Sequence, residues 1–209
     1  MTQNSATGVE TTKARSRRLA ISVPNMLTYL RIAIIPVMVG ILFWPGDDAM
    51  RWWALGLYSV AGITDFFDGY LARIYNEQSS LGRMLDPIAD KLLIAASLLM
   101  LVSDGSIRSW SLWAAIVILS REILVSGLRE FLAEVKVSVP VSRLAKWKTT
   151  AQILAVGFLI AGPAGDALLP MGWTLKIGTA LLWAAAILTI ITGYDYMKAS
   201  VRHLMEDGA

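Results

Sequence analysis

Four aspartates set out in two pairs carry the chemistry this chain offers. Asp65 and Asp68 close one apolar segment, and Asp86 and Asp90 open the next. On helices, the spacings i,i+3 and i,i+4 put each pair on a single face. Two such faces meeting would gather four carboxylates in one pocket, where the like charges cannot all stay ionised without cations. Hard divalent ions with oxygen ligands resolve that repulsion, and the set suits two Mg²⁺ or Mn²⁺ ions. A zinc or soft-metal site is disfavoured by chemistry, since the chain has no cysteine and one histidine, His203, near its C-terminus.

The neighbours of these aspartates have physical uses. Gly69 lets a ligand approach the helix backbone closely. Gly82 serves the same end or simply turns the chain between two segments. Asp86-Pro87 starts or kinks a helix, because proline is tolerated in a first turn. Arg73, about one turn beyond Asp68, suits a carboxylate partner and a phosphate equally.

A second, basic group stands further along. In Arg121-Glu-Ile-Leu-Val-Ser-Gly-Leu-Arg129-Glu130 the two arginines are eight apart, about two turns, and share a face. Lys146-Trp-Lys148-Thr149 follows across a short connection. Four cations meeting in one cavity suit an anionic group on a substrate, most simply a phosphate. Snorkelling toward lipid headgroups is the alternative. It fits Lys136 and Arg143 but not Arg121, which follows twelve uncharged residues.

The elements that must position these groups are membrane helices. The chain has 209 residues, of which 56% are hydrophobic and 17% charged, and its mean hydropathy is +0.56. A soluble domain is about 45–50% apolar and about 25% charged. Disorder and a disulfide-stapled secreted fold are excluded on the same grounds. Apolar segments lie near 26–44, 51–72, 87–103, 110–130, 146–164 and 173–197, each close to the roughly 20 residues a span requires. Charges admitted into spans are costly and mark function.

With the N-terminus inside, the loops 45–50, 104–109 and 165–172 lie outside. They carry Asp47, Asp48, Asp104 and Asp166, and only Arg51, Arg108 and Lys176 of the nineteen Lys and Arg fall near that face. The positive-inside rule therefore predicts N-in, C-in and six spans. Trp44, Trp52, Trp53, Trp110, Trp113 and Trp173 would form an interfacial belt at the outer ends. Asp65, Asp68, Arg73, Asp86, Asp90, Lys91, Arg121, Arg129, Lys146 and Lys148 all belong to the inner ends. The expected fold is an all-α integral membrane bundle of six transmembrane helices with a polar cavity facing the cytoplasm. Residues 1–20 read as a flexible tail, with Lys13, Arg15, Arg17 and Arg18 as a basic topology signal; 21–200 is the catalytic bundle and 201–209 a C-terminal tail. Basic residues placed this way serve membrane lipids, not nucleic acid.

From Asp65 to Asp90 the chain reads D-x2-D-G-x2-A-R-x8-G-x3-D-x3-D without departure. This resembles the signature of the CDP-alcohol phosphotransferases, a six-span family that transfers a phosphatidyl or similar group from a CDP-linked lipid to an alcohol and releases CMP. The resemblance implies that Asp65, Asp68 and Asp86 hold one divalent cation, and Asp65, Asp86 and Asp90 a second. It implies Asp90 as general base toward the acceptor hydroxyl. Asp68, Gly69, Arg73 and Ser79 would contact the CDP-lipid, with Thr28 and Arg31 at the nucleotide. The residues agree independently: two metals suit an in-line displacement, a carboxylate suits the base, and no Ser-His or Cys-His pair offers a covalent route.

The run at Arg121–Glu130, the later KWKT and Asn25-x2-Thr28-x2-Arg31 resemble the bacterial branch of that family whose acceptor is glycerol 3-phosphate. The implied reaction joins CDP-diacylglycerol and glycerol 3-phosphate in a bacterial cytoplasmic membrane, with Arg121, Arg129, Lys146 and Lys148 around the acceptor phosphate. Inositol phosphate, serine and phosphatidylglycerol are the alternative acceptors within the family. A cationic choline or ethanolamine gains nothing from four basic neighbours. A divalent-cation transporter should show repeats or a polar path to the outer face, and neither is visible. The family resemblance allows a homodimer, and the small residues Ala184, Ala185 and Ala186 would pack a neighbouring helix or a partner equally well.

Overall fold

The computed structural model describes residues 23–44, 47–75, 80–135 and 143–206, with side chains described except at 23–24, 66–75, 80–81, 83, 143 and 202–206. The described residues form six long helices and no strand: α1 (Val23–Phe43), α2 (Asp48–Tyr75), α3 (Ser80–Ser103), α4 (Ser111–Glu134), α5 (Arg143–Ala161) and α6 (Trp173–Glu206). A 3-10 turn at Gly162–Ala167 follows α5. Each helix overlaps one apolar segment of the sequence.

Length and composition suffice for α1, α4, α5 and α6 to cross a bilayer, over Asn25–Phe43, Ser111–Glu134, Leu144–Ala167 and Trp173–Val201. The described parts of α2 and α3 do not meet that measure. Their span-like stretches are interrupted by the charges at Asp65, Asp86, Asp90 and Lys91. Outward-facing apolar side chains such as Val37, Leu99, Ile123 and Ile187 are exposed along the helices. Such a surface calls for lipid, since water-soluble monomers rarely expose contiguous apolar patches. All six tryptophans of the expected belt are exposed as well.

Small residues let the helices approach closely. Ala54, Ala61, Ala114, Ala155 and Ala185 are fully buried among Met38, Leu101, Ile118, Leu159 and Leu182. Ala185 and Ala186 are thus spent on packing within the chain, while Ala184 is exposed. Helix α1 packs on α2 and α3, whereas α6 packs on α4 and α5; α2 and α3 contact α5 to join the two groups.

Two helix boundaries differ from the sequence reading. Helix α3 begins at Ser80, so Pro87 lies inside it and Gly82 is a buried helical residue, not a turn. Proline removes one N–H from the ladder, and the carbonyl of Pro87 itself takes a 2.7 Å hydrogen bond from Lys91 Nζ. Helix α6 continues to Glu206, well into the residues expected as a tail.

Arg51 fixes which helix ends lie together. From the first turn of α2 its guanidinium donates to Asp104 Oδ2 at 2.6 Å, just beyond α3. It also donates to the carbonyls of Ile160 at 3.1 Å and Leu159 at 3.4 Å, at the end of α5. Gly162, with φ +47°, leaves room for it: a Cβ there would collide with Arg51 NH1. The C-terminal ends of α3 and α5 and the start of α2 therefore share one end of the bundle. The starts of α1, α3 and α5 and the ends of α2, α4 and α6 share the other.

Candidate active site

Helix α1 brings one polar face to that second end. Asn25, Thr28 and Arg31 follow at three-residue intervals and are all buried, Arg31 completely. A buried guanidinium must be paired. Arg31 NH1 lies 2.7 Å from Asp90 Oδ1 and 2.9 Å from Asp65 Oδ1, on α3 and α2 respectively. Thr28 Oγ1 donates a short hydrogen bond to Asp86 Oδ1. Three of the four signature aspartates are thereby drawn onto one helix. Thr28 and Arg31, expected at the nucleotide, reach the acidic residues in this structure.

The carboxylates stay accessible. Asp65 and Asp90 are 46% and 48% exposed at their side chains, against 0% for Arg31, so water and ligands reach them while their partner is sealed in protein. Among the described residues no three acidic or histidine side chains close into a metal-holding group. Asp68, Gly69 and Arg73 lie on the last turns of α2 with side chains outside the described residues, and Ser79 lies outside them altogether. The donors nonetheless fit a hard divalent cation: they are all oxygen, and the half-exposed side chains of Asp65 and Asp90 stay open on the side away from Arg31.

A basic cluster forms where α4, α5 and α6 pack at the same end. Lys148 Nζ on α5 makes a short ion pair with Glu122 Oε1 on α4. That same oxygen lies 3.8 Å from Arg121 NH1. Arg121 NH2 donates to Thr192 Oγ1 on α6 at 3.1 Å. Gly193 makes space for the arginine, since a Cβ there would sit 3.1 Å from its Cγ and 3.2 Å from its Nε. Arg129 stacks over Tyr196, 5.8 Å from the ring centroid, and lies within electrostatic reach of Arg121 and Lys148.

Three of the four expected cations are thus brought together. Lys146 is exposed, and two residues along a helix place it about 200° around from Lys148. Glu122, Thr192 and Gly193 had no assigned role in the sequence reading. The only legible signal was a carboxylate beside Arg121 in an apolar run; the two α6 residues become visible only through packing.

A cavity of about 410 Å³ lies at the opposite end, lined among others by Ile41, Trp44, Asp47, Arg51, Met100 and Asp104. Its polar groups serve the fold. Asp47 accepts from the backbone of Ala49, Asp104 from that of Ser106, and Arg51 is engaged as described. Among the described residues lining it no reactive pair is found.

The described residues define an all-helical protein with four helices long and apolar enough to cross a membrane, an acidic cluster and a neighbouring basic cluster. Residues 21–191 match the sequence pattern described as CDP-alcohol phosphatidyltransferase, and the chain belongs to that family. It is similar to proteins named CDP-diacylglycerol–glycerol-3-phosphate 3-phosphatidyltransferase from several bacteria. The one from Rickettsia prowazekii (strain Madrid E) is 49% identical over 182 residues, covering 87% of this chain and 97% of the relative. Those from Pseudomonas fluorescens and Cereibacter sphaeroides are 38% and 36% identical, covering 90% and 89% of this chain and 94% and 98% of each relative.

Proposed function

We propose that this protein transfers the phosphatidyl group of CDP-diacylglycerol to glycerol 3-phosphate, giving phosphatidylglycerophosphate and CMP. The relatives that bear this activity in their names support the reading along nearly their whole length. The observation that carries it is the gathering of Asp65, Asp86 and Asp90 onto Thr28 and Arg31 at the bundle end that also holds Arg121 and Lys148.

In this reading Asp90 accepts the proton of the acceptor hydroxyl as its oxygen bonds to phosphorus. The bond from that phosphorus to the CMP oxygen breaks in the same displacement. Asp65, Asp68, Asp86 and Asp90 would hold two divalent cations, Mg²⁺ or Mn²⁺, which would supply charge neutralisation for the diphosphate. Asp68, Gly69, Arg73 and Ser79 are the residues assigned to the CDP-lipid, while the buried Thr28 and Arg31 act on it through the aspartates they hold. Arg121, Arg129 and Lys148 orient the acceptor through its phosphate. All six helices span a bacterial cytoplasmic membrane, and the distribution of Lys and Arg turns the aspartate end to the cytoplasm.

The test is incorporation of labelled glycerol 3-phosphate into lipid by purified protein. Label is expected only with CDP-diacylglycerol and Mg²⁺ or Mn²⁺ together, with CMP released in equal amount and a chelator stopping both. If a different alcohol releases CMP while glycerol 3-phosphate does not, the acceptor assignment fails and the family membership stands.

A further inference from the structure

A buried ammonium is costly unless its charge is answered. Lys148 has a side chain only 7% exposed, and Glu122, 21% exposed, answers it from the neighbouring helix. Because the same carboxylate oxygen faces Arg121, one anion from α4 stands between cations of α4 and α5. The other side of Arg121 is held from α6. Thr192 donates its own proton to the carbonyl of Leu188 at 2.8 Å, so its oxygen is turned to accept from the guanidinium. Without these anchors, long flexible side chains would bend toward the membrane surface.

We propose that Glu122 and Thr192 are positioning residues that hold Lys148 and Arg121 in the geometry of a phosphate-monoester pocket and so set specificity for a phosphorylated acceptor. The inference rests on the acceptor reading above. Arg121, Arg129 and Lys148 carry three positive charges, and Glu122 removes one. A net charge of +2 remains, opposite to the roughly −1.5 to −2 of a phosphate monoester near neutral pH. Glu122 touches neither substrate in this account; it acts through the two cations it orders.

Steady-state kinetics in detergent–lipid micelles separate the possibilities. Lys148→Met should raise the KM for glycerol 3-phosphate about tenfold, as loss of a substrate contact does. Glu122→Gln should raise that KM to a similar extent, with kcat and the KM for CDP-diacylglycerol within about twofold of wild type. The double variant should be no worse than Lys148→Met alone, because residues acting through one another are not additive, and Glu122→Asp should regain most of the loss. Should Glu122→Gln not fold, Thr192→Val tests the second anchor with nearly the same shape, and a KM increase confined to glycerol 3-phosphate is again expected. An unchanged acceptor KM, equal increases for both substrates, or effects that multiply in the double variant would overturn the proposal. If Lys148→Met itself spares the acceptor KM, the acceptor pocket is misassigned and the proposal falls with it; if only the Glu122 and Thr192 variants are silent, the pocket stands and their role does not.

Discussion

Arg31 and Asp90 lie 59 residues apart in the chain and 2.7 Å apart in space. The arginine is wholly buried and the aspartate half-exposed. A fixed cation thus holds the inner side of a carboxylate whose other side meets solvent. For a residue assigned the proton-accepting role, that arrangement restrains the side chain without walling it off from substrate.

Replacing Asp90 by Asn retains the shape and removes the base. Asp90→Asn is expected to abolish turnover while leaving CDP-diacylglycerol binding largely intact. Calorimetric titration of the lipid into the variant beside a CMP-release assay checks both halves. Wild-type turnover would remove Asp90 from the mechanism.

Arg31→Gln withdraws the charge shared by Asp65 and Asp90. Breaking a buried pair costs about 3–5 kcal/mol, and the half-exposed carboxylates lower that toward about 2 kcal/mol because water can solvate them. The variant should unfold at lower temperature in detergent. Added Mg²⁺ should raise its Tm more than that of wild type, since the uncompensated carboxylates then favour a bound cation. Equal Mg²⁺ shifts in both proteins would contradict this coupling.

Arg121→Ala should raise the apparent KM for glycerol 3-phosphate much more than that for CDP-diacylglycerol. The change removes a cation held by Thr192 and facing Glu122, on the order of tenfold in acceptor affinity. Equal effects on the two substrates would make Arg121 structural.

Arg51→Met provides the contrast at the other end of the bundle. It removes the ion pair with Asp104 and two carbonyl hydrogen bonds. Partly buried charge-assisted bonds of this kind are worth about 1.5–3 kcal/mol each at most. The measured outcome should be a lower Tm in detergent with both KM values unchanged, because the proposed substrate contacts lie at the other end of the bundle.

Much of the site was legible before any packing was known. The spacings Asp65–Asp68 and Asp86–Asp90 are local, so helical geometry alone aligns each pair. The six apolar segments correspond to six helices because each is long enough to satisfy its own backbone hydrogen bonds, and four of them are long and apolar enough to cross a membrane. The shift of the α3 start to Ser80 was less legible: a polar first turn carries no hydropathy signal, and Pro87 looked like a boundary.

What the amino-acid sequence determined by itself was therefore everything set by neighbours along one helix: the apolar spans, the paired aspartates, and the placement of basic residues near particular helix ends. Tertiary structure alone decided which of these meet. It put Arg31 between Asp65 and Asp90, paired Lys148 with Glu122 across 26 residues, and turned Lys146 to the exterior. The reason lies in range. A helix fixes contacts over three or four residues, whereas an ion pair between helices depends on their rotation and depth, which small residues such as Ala185 and Gly193 set by how closely they let the helices approach.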